Sequence, residues 1–158
     1  MAVTAQDVEV AAAEPLAYFS HDADAASDIK CRKLLRRRGV AGYGRWWLLC
    51  EHMAKASGHS IQISEEEDAE ILAEDLQFES IDELMSFLGE LADLNLIDFK
   101  RFGSGEIWSD RMGRNAEVTG IKRAAGREGG KLGAKYGKLG AQYGKLGGRP
   151  KKIKSNSK

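Results

Sequence analysis

Residues 64–94 read SEEEDAEILAEDLQFESIDELMSFLGELADL, and this stretch decides the fold. It contains two serine-led helix starts, Ser64-Glu65-Glu66-Glu67 and Ser80-Ile81-Asp82-Glu83. In such a capping box the serine side chain accepts from the amide three residues on, and the glutamate reaches back. The carboxylates also suit the positive end of a helix dipole. The pattern predicts one helix from Ser64 to about Gln77 and a second from Ser80 to about Leu94, a helix-turn-helix. The second carries Ile81, Leu84, Met85, Leu88, Leu91 and Ala92 on one face.

Upstream, Ile61-Gln62-Ile63 alternates as a short strand does. Before it, Tyr43, Trp46, Trp47, Cys50, Met53 and Ala54 keep helical spacing, which predicts a central core helix from Gly42-Tyr43-Gly44 to Ser57-Gly58. A first helix runs from Ile29 to Arg38, capped by Ser27-Asp28 and stopped by Gly39. Leu16-Ala17-Tyr18-Phe19 reads as a short strand, and residues 1–14 as a flexible acidic arm. Downstream, Leu96 to Phe102, the turn Gly103-Ser104-Gly105, and Glu106 to Ser109 read as a β-hairpin with Lys100 and Arg101 in its wing. The expected fold is mainly α with that small hairpin, a winged-helix domain over 15–110. Residues 111–126 follow as a basic helix or linker. A tail over 127–158, rich in glycine and lysine, is expected to be largely disordered.

A chain of 158 residues with 42% apolar composition suits one domain with an appendage. No apolar run approaches the roughly 18 residues of a membrane span. The N-terminus lacks the basic and apolar regions of a secretory signal, so a cytoplasmic protein with free, buried Cys31 and Cys50 is expected.

Zero net charge conceals a division. Residues 1–110 carry 10 Lys/Arg against 22 Asp/Glu, and residues 111–158 carry 14 against 2. The balances are −12 and +12. An acidic body with a cationic arm points to a polyanionic partner, and DNA binds Lys and Arg through its phosphates whatever its sequence. The arm repeats itself as GKLGAKY (130–136), GKLGAQY (137–143) and GKLGGRP (144–150), then KKIKSNSK. Lys131, Lys138 and Lys145 recur every seven residues. Arg149, Lys151 and Lys152 belong to an AT-hook-like Gly-Arg-Pro element, and a narrow A·T minor groove attracts an inserted arginine.

Within the body, residues 59–98 hold 13 acidic residues and no Lys or Arg. Like-charge repulsion argues against groove reading by the helix at 80–94, the usual recognition helix of this motif. The basic first helix, with Lys30, Arg32, Lys33, Arg36 and Arg37, is the alternative phosphate contact. Its competing readings are a solvated face and neutralisation by the domain's own acidic helices. Lys100 and Arg101 complete the set of candidate DNA contacts.

Catalysis has no support. Ser20-His21-Asp22 are adjacent, and a triad needs convergence in space. Cys50, His52 and His59 lack zinc-site spacing. No metal, cofactor or catalytic residue is expected.

The segments YFSHDADAASDIKCRKLL (18–35) and GVAGYGRWWLLCEHM (39–53) resemble the N-terminal domain of phage and prophage DnaD-like replisome organisers, or replication initiators. The carrying residues are Tyr18, Phe19, His21, Asp22, Asp28, Lys30, Gly39, Gly42, Tyr43 and Gly44. The resemblance covers about residues 16–115. It implies a winged-helix domain, a role near DNA replication, self-association and replication-protein partners. The second DnaD-type domain of many members is replaced here by the repetitive tail. Two other function classes fit the residues: a protein-interaction adaptor using the acidic body, and a winged-helix transcription regulator.

Overall fold

The computed structural model describes residues 2–135, with side chains as far as Leu132. It is mainly helical, with one two-stranded antiparallel sheet. Helix α1 spans Ala5–Ala12, α2 Ile29–Lys55, α3 Glu66–Asp75, α4 Ile81–Asp93, α5 Phe99–Gly103 and α6 Asp110–Lys135. Strands β1 (Ile61–Gln62) and β2 (Glu106–Ile107) pair Ile61 with Ile107 and Gln62 with Glu106. Short 3-10 turns lie at Ala25–Ser27 and Ser57–His59.

Helix α2 starts where the Asp28 carboxylate accepts from the Lys30 and Cys31 amides. It is broken at Gly39, whose φ of 66° and ψ of −167° lie outside the helical region. A positive φ is open to glycine at little cost. The break therefore separates the two helices expected from sequence without a loop between them.

The core lies between the second arm of α2, α3, α4 and the start of α6. Trp46, Leu49 and Met53 meet Leu72 and Leu76, then Leu84, Phe87, Leu88 and Leu91, with Ile107 and Met112 closing one side. Ser80 caps α4 as expected, accepting from the Glu83 amide at 3.2 Å. Glu83 reaches back one residue further than a capping box requires, to the Glu79 amide at 3.1 Å. Met85, placed on the inner face by periodicity, is exposed, and Phe87 is buried in its stead.

Four expectations need correction. The first concerns Ser64, which does not cap α3; Glu65 is the N-cap and makes no side-chain cap bond. The Ile63 amide donates to the Gly105 carbonyl at 2.9 Å, holding the chain extended one residue past β1 and delaying the helix. The second concerns 96–109. Leu96 to Phe102 forms no strand, because the Asp98 carboxylate accepts from the Arg101 amide at 2.8 Å and nucleates α5. This local side-chain bond competes with the ladder. The return strand does form, but it pairs with β1; one link survives, the Asp98 amide to the Trp108 carbonyl at 2.8 Å. Lys100 and Arg101 therefore sit on a helix, not in a hairpin wing.

The third correction is at the N-terminus. Residues Ala5–Ala12 form α1, started by Thr4 and Asp7 in a reciprocal capping box. Leu16 is buried and its amide donates to the Ala54 carbonyl at 2.8 Å, yet 16–19 is not a strand. The fourth is α6, which continues helically past Gly126 to Lys135. Ala116, Gly120 and Ala124 form its buried stripe, and α1 lies against α6 there. Stability of a glycine-containing helix comes here from packing rather than propensity. Residues 136–158, with most of the repeats, lie outside the described residues.

Candidate nucleic-acid interface

The first arm of α2 turns Cys31 and Leu34 inward and its cations outward. The cations divide into two groups. Arg38 pairs with Glu90 of α4 and donates to Ser86 Oγ at 3.0 Å. Arg37 lies 3.6 Å from the same Glu90 carboxylate. Lys30 donates to the Asn95 carbonyl at 2.9 Å. By contrast Arg32, Lys33 and Arg36 are exposed, and none has a side-chain partner among the described residues. With Ile29 they keep the spacing of one helical face.

Two further basic residues of the body serve structure. Arg45 donates to the Leu76 and Gln77 carbonyls at 2.9 and 2.8 Å and lies 4.3 Å over the Phe78 ring, which ties α2 to the end of α3. Arg101 stacks 4.1 Å over Trp108 and pairs with Glu106 at 3.6 Å. Lys100 is exposed beside it. In α6, Lys131 is exposed and lies 3.8 Å from Glu128. Lys138, Lys145, Arg149, Lys151 and Lys152 fall outside the described residues.

Sequence reasoning left the arginines of α6 without a task, and the structure uses three of them to hold the helix. Arg111 donates to the Ser20 carbonyl at 2.8 Å and to Asp22 at 3.3 Å. Arg123 donates to the carbonyls of Ala11, Glu14 and Pro15. Arg127 binds both oxygens of Glu14 at 2.7 and 2.8 Å. The signal present in the sequence was the i, i+4 spacing of Arg123 and Arg127; their partner lies over a hundred residues away.

The aromatic motif residues converge on Trp47. His21 stacks on its indole with centroids 3.6 Å apart and planes 12° from parallel. Phe19 lies at 6.2 Å and Tyr43 meets its edge at 6.0 Å. Tyr18 stays exposed. Ser20 donates its hydroxyl to Asn115 Oδ1 at 2.9 Å, so Ser20, His21 and Asp22 each have a separate task. His59 is buried between the Met53 and Ala12 carbonyls at 3.1 and 2.7 Å, a structural tie. Cys31 and Cys50 are free and buried, and burial pushes both thiols above their ordinary pKa. Among the described residues no cluster of His, Cys, Asp or Glu is arranged to hold a metal ion. No described helix is long and apolar enough to cross a membrane.

The family description "Lin1244/Lin1753-like, N-terminal" matches residues 18–111, more than half of the chain. The chain belongs to this family. Its matched region begins at the exposed Tyr18, spans the aromatic cluster and the basic arm of α2, and ends at Arg111. The Lin1244/Lin1753-like region thus holds Arg32, Lys33 and Arg36, while Lys131 and the repeats lie beyond it. No curated protein and no solved structure was found to match the chain.

Proposed function

We propose that the protein is a DNA-binding accessory factor of phage or prophage type that acts in replication initiation. Its affinity for DNA comes from the basic tail, with Lys131, Lys138, Lys145, Arg149, Lys151 and Lys152 as phosphate or minor-groove contacts. Arg32, Lys33 and Arg36 on α2 add a second contact from the body. The helical body is a winged-helix variant of the DnaD-like kind, and it serves self-association or the binding of replication proteins.

The observation that carries this reading is the charge division between body and arm, −12 against +12. The fate of each cation supports it. Glu90 occupies Arg37 and Arg38, and backbone carbonyls occupy Arg45, whereas Arg32, Lys33 and Arg36 have no partner among the described residues. The α4 surface carries Asp82, Glu83 and Asp93 outward and repels phosphate.

The test is a salt-dependent DNA titration of the whole chain against residues 1–135. The shorter chain keeps α6 and lacks seven basic residues: Lys138, Lys145, Arg149, Lys151, Lys152, Lys154 and Lys158. Each lost duplex phosphate contact flattens the logarithmic salt slope by about 0.9. Equal affinity and equal slopes would refute DNA binding by residues 136–158 and leave Lys131 together with Arg32, Lys33 and Arg36 as the candidates. No binding by either chain favours the adaptor reading, in which the acidic faces of α3 and α4 meet a protein.

A further inference from the structure

The outer face of α6 is apolar and uncovered among the described residues. Val118, Ile121 and Leu132 are 53%, 50% and 44% exposed, and Ala125 between them is exposed as well. They follow one another at intervals of three, four and seven residues, the a and d positions of a heptad. This face lies about a third of a turn round the helix from Ala116, Gly120 and Ala124, the stripe that meets α1. A partner can therefore cover it without moving α1. The helix is also fixed in advance. Arg123 and Arg127 tie it to residues 11–15, so association does not have to order it first.

The spacing points to the occupant. Val118, Ala125 and Leu132 stand seven apart, and Leu139 and Leu146 continue the count in the sequence beyond Lys135. A straight helix drifts by roughly 20° per heptad against such a period, so a strict seven-residue repeat stays in line only when helices wind round each other. Within the described chain, α2, α3 and α4 commit their apolar faces to the core and α1 packs on α6. The helix that shares the period is α6 of a second copy. Charge sets the direction. With Val118 at a, Lys131, Lys138 and Lys145 fall by count at g, and Tyr136 and Tyr143 at e. Parallel helices bring g of one chain against e of the other, and antiparallel ones bring g against g. A parallel pair sets lysine beside tyrosine; an antiparallel pair sets lysine beside lysine.

We propose that the protein forms a parallel homodimer along the outer face of α6, with Val118, Ile121, Ala125 and Leu132 in the seam. The inference rests on the self-association proposed above and places it on α6, beyond the family region of 18–111. Glu128 takes the remaining d position and pairs with Lys131 of its own chain at 3.8 Å. A polar residue in such a seam costs stability, so the dimer is weak and reversible. Two copies side by side present two basic tails to one duplex. The second tail then binds at the raised effective concentration that linkage supplies.

The test is sedimentation equilibrium of the full-length protein without DNA, over a range of concentrations. A monomer–dimer equilibrium is expected. Ile121→Glu, at an exposed position, should weaken dimerisation about tenfold, an effect of about 1.4 kcal/mol, with the fold checked by circular dichroism. Glu128→Leu should tighten it. Ile71→Glu, exposed to a similar degree on α3, is the control and should leave it unchanged. Val118→Cys should form a disulfide between chains under mild oxidation, because a parallel seam sets this residue against its own copy, while Cys31 and Cys50 are buried. A monomer at every concentration, or a dimer unmoved by Ile121→Glu, overturns the proposal. A dimer in which Val118→Cys does not cross-link overturns its parallel direction. A dimer that binds no duplex DNA refutes the nucleic-acid reading alone. A monomer that binds duplex DNA refutes the seam alone.

Discussion

Gly120 of α6 and Ala12 of α1 are packed so closely that a Cβ on Gly120 would stand 2.7 Å from the Ala12 Cβ and 2.8 Å from the Val8 carbonyl oxygen. Both obstacles belong to α1 near its backbone, so neither can swing aside. Gly120→Ala should destabilise the protein by about 1–3 kcal/mol through overpacking, although alanine is intrinsically the better helix former. Gly126→Ala is the control, since a Cβ there meets nothing within 4 Å. That change should stabilise by up to about 1 kcal/mol. Chemical denaturation of the two variants checks the contrast, and equal effects would contradict the docking of α1.

Trp46 and Trp47 are neighbours with different surroundings. Trp46 is 2% exposed in the core, and Trp47 is partly buried under His21. Trp46→Ala should cost about 3–5 kcal/mol. Trp47→Ala should cost less and remove the His21 stacking site. Urea midpoints of both variants rank them, and a smaller loss for Trp46 would invert the assignment of the helix face.

Glu90 stands between Arg37 and Arg38. Glu90→Gln should release both cations toward solvent and raise affinity for DNA, with a stability loss of about 1–3 kcal/mol, since the Glu90 side chain is only 16% exposed. Fluorescence anisotropy at low salt reads the affinity. A weaker complex would show that the basic arm of α2 faces away from DNA.

Burial raises the Cys50 thiol and, less strongly, the Cys31 thiol above the ordinary value of 9.0. The folded state therefore holds these protons more tightly than the unfolded state. Their stabilising contribution is complete below pH 9.0 and declines as pH rises beyond it. A thiol reagent at pH 8 should modify neither cysteine of the folded protein at an appreciable rate and both after unfolding. Rapid labelling of the native protein would contradict their burial.

Periodicity and caps made α2, α4 and β1 legible, because their signals lie within a few residues of one another. Gly39 and Ser80 mark boundaries that the structure keeps. The failures have local causes. Thr4 and Asp7 form a capping box that uses aspartate where glutamate is usual, so α1 went unread. Asp98 caps α5 from one side only, and an aromatic, alternating sequence around it concealed a helix. Glycines suggested an end to α6, whereas the contact of Gly120 with α1 depends on having no side chain. For the candidate interface, sequence identified the basic run of α2 but not its division. Which of six neighbouring cations meets Glu90 depends on how α2 and α4 are set against each other, and that is a tertiary relation.

The clasp at Arg111 has a modular consequence. The family region runs from 18 to 111, and its two ends are fastened together: Arg111 holds the Ser20 carbonyl, and Asn115 accepts from both the Ser20 amide and its hydroxyl. A unit whose entry and exit points meet can be spliced between other segments with little strain, since its neighbours need not span it. New N- and C-termini opened at the exposed Glu79, with the present ends joined by a short linker, should leave such a closed unit able to fold. Evolution has the same freedom, and can exchange what is attached to the region without rebuilding its interior.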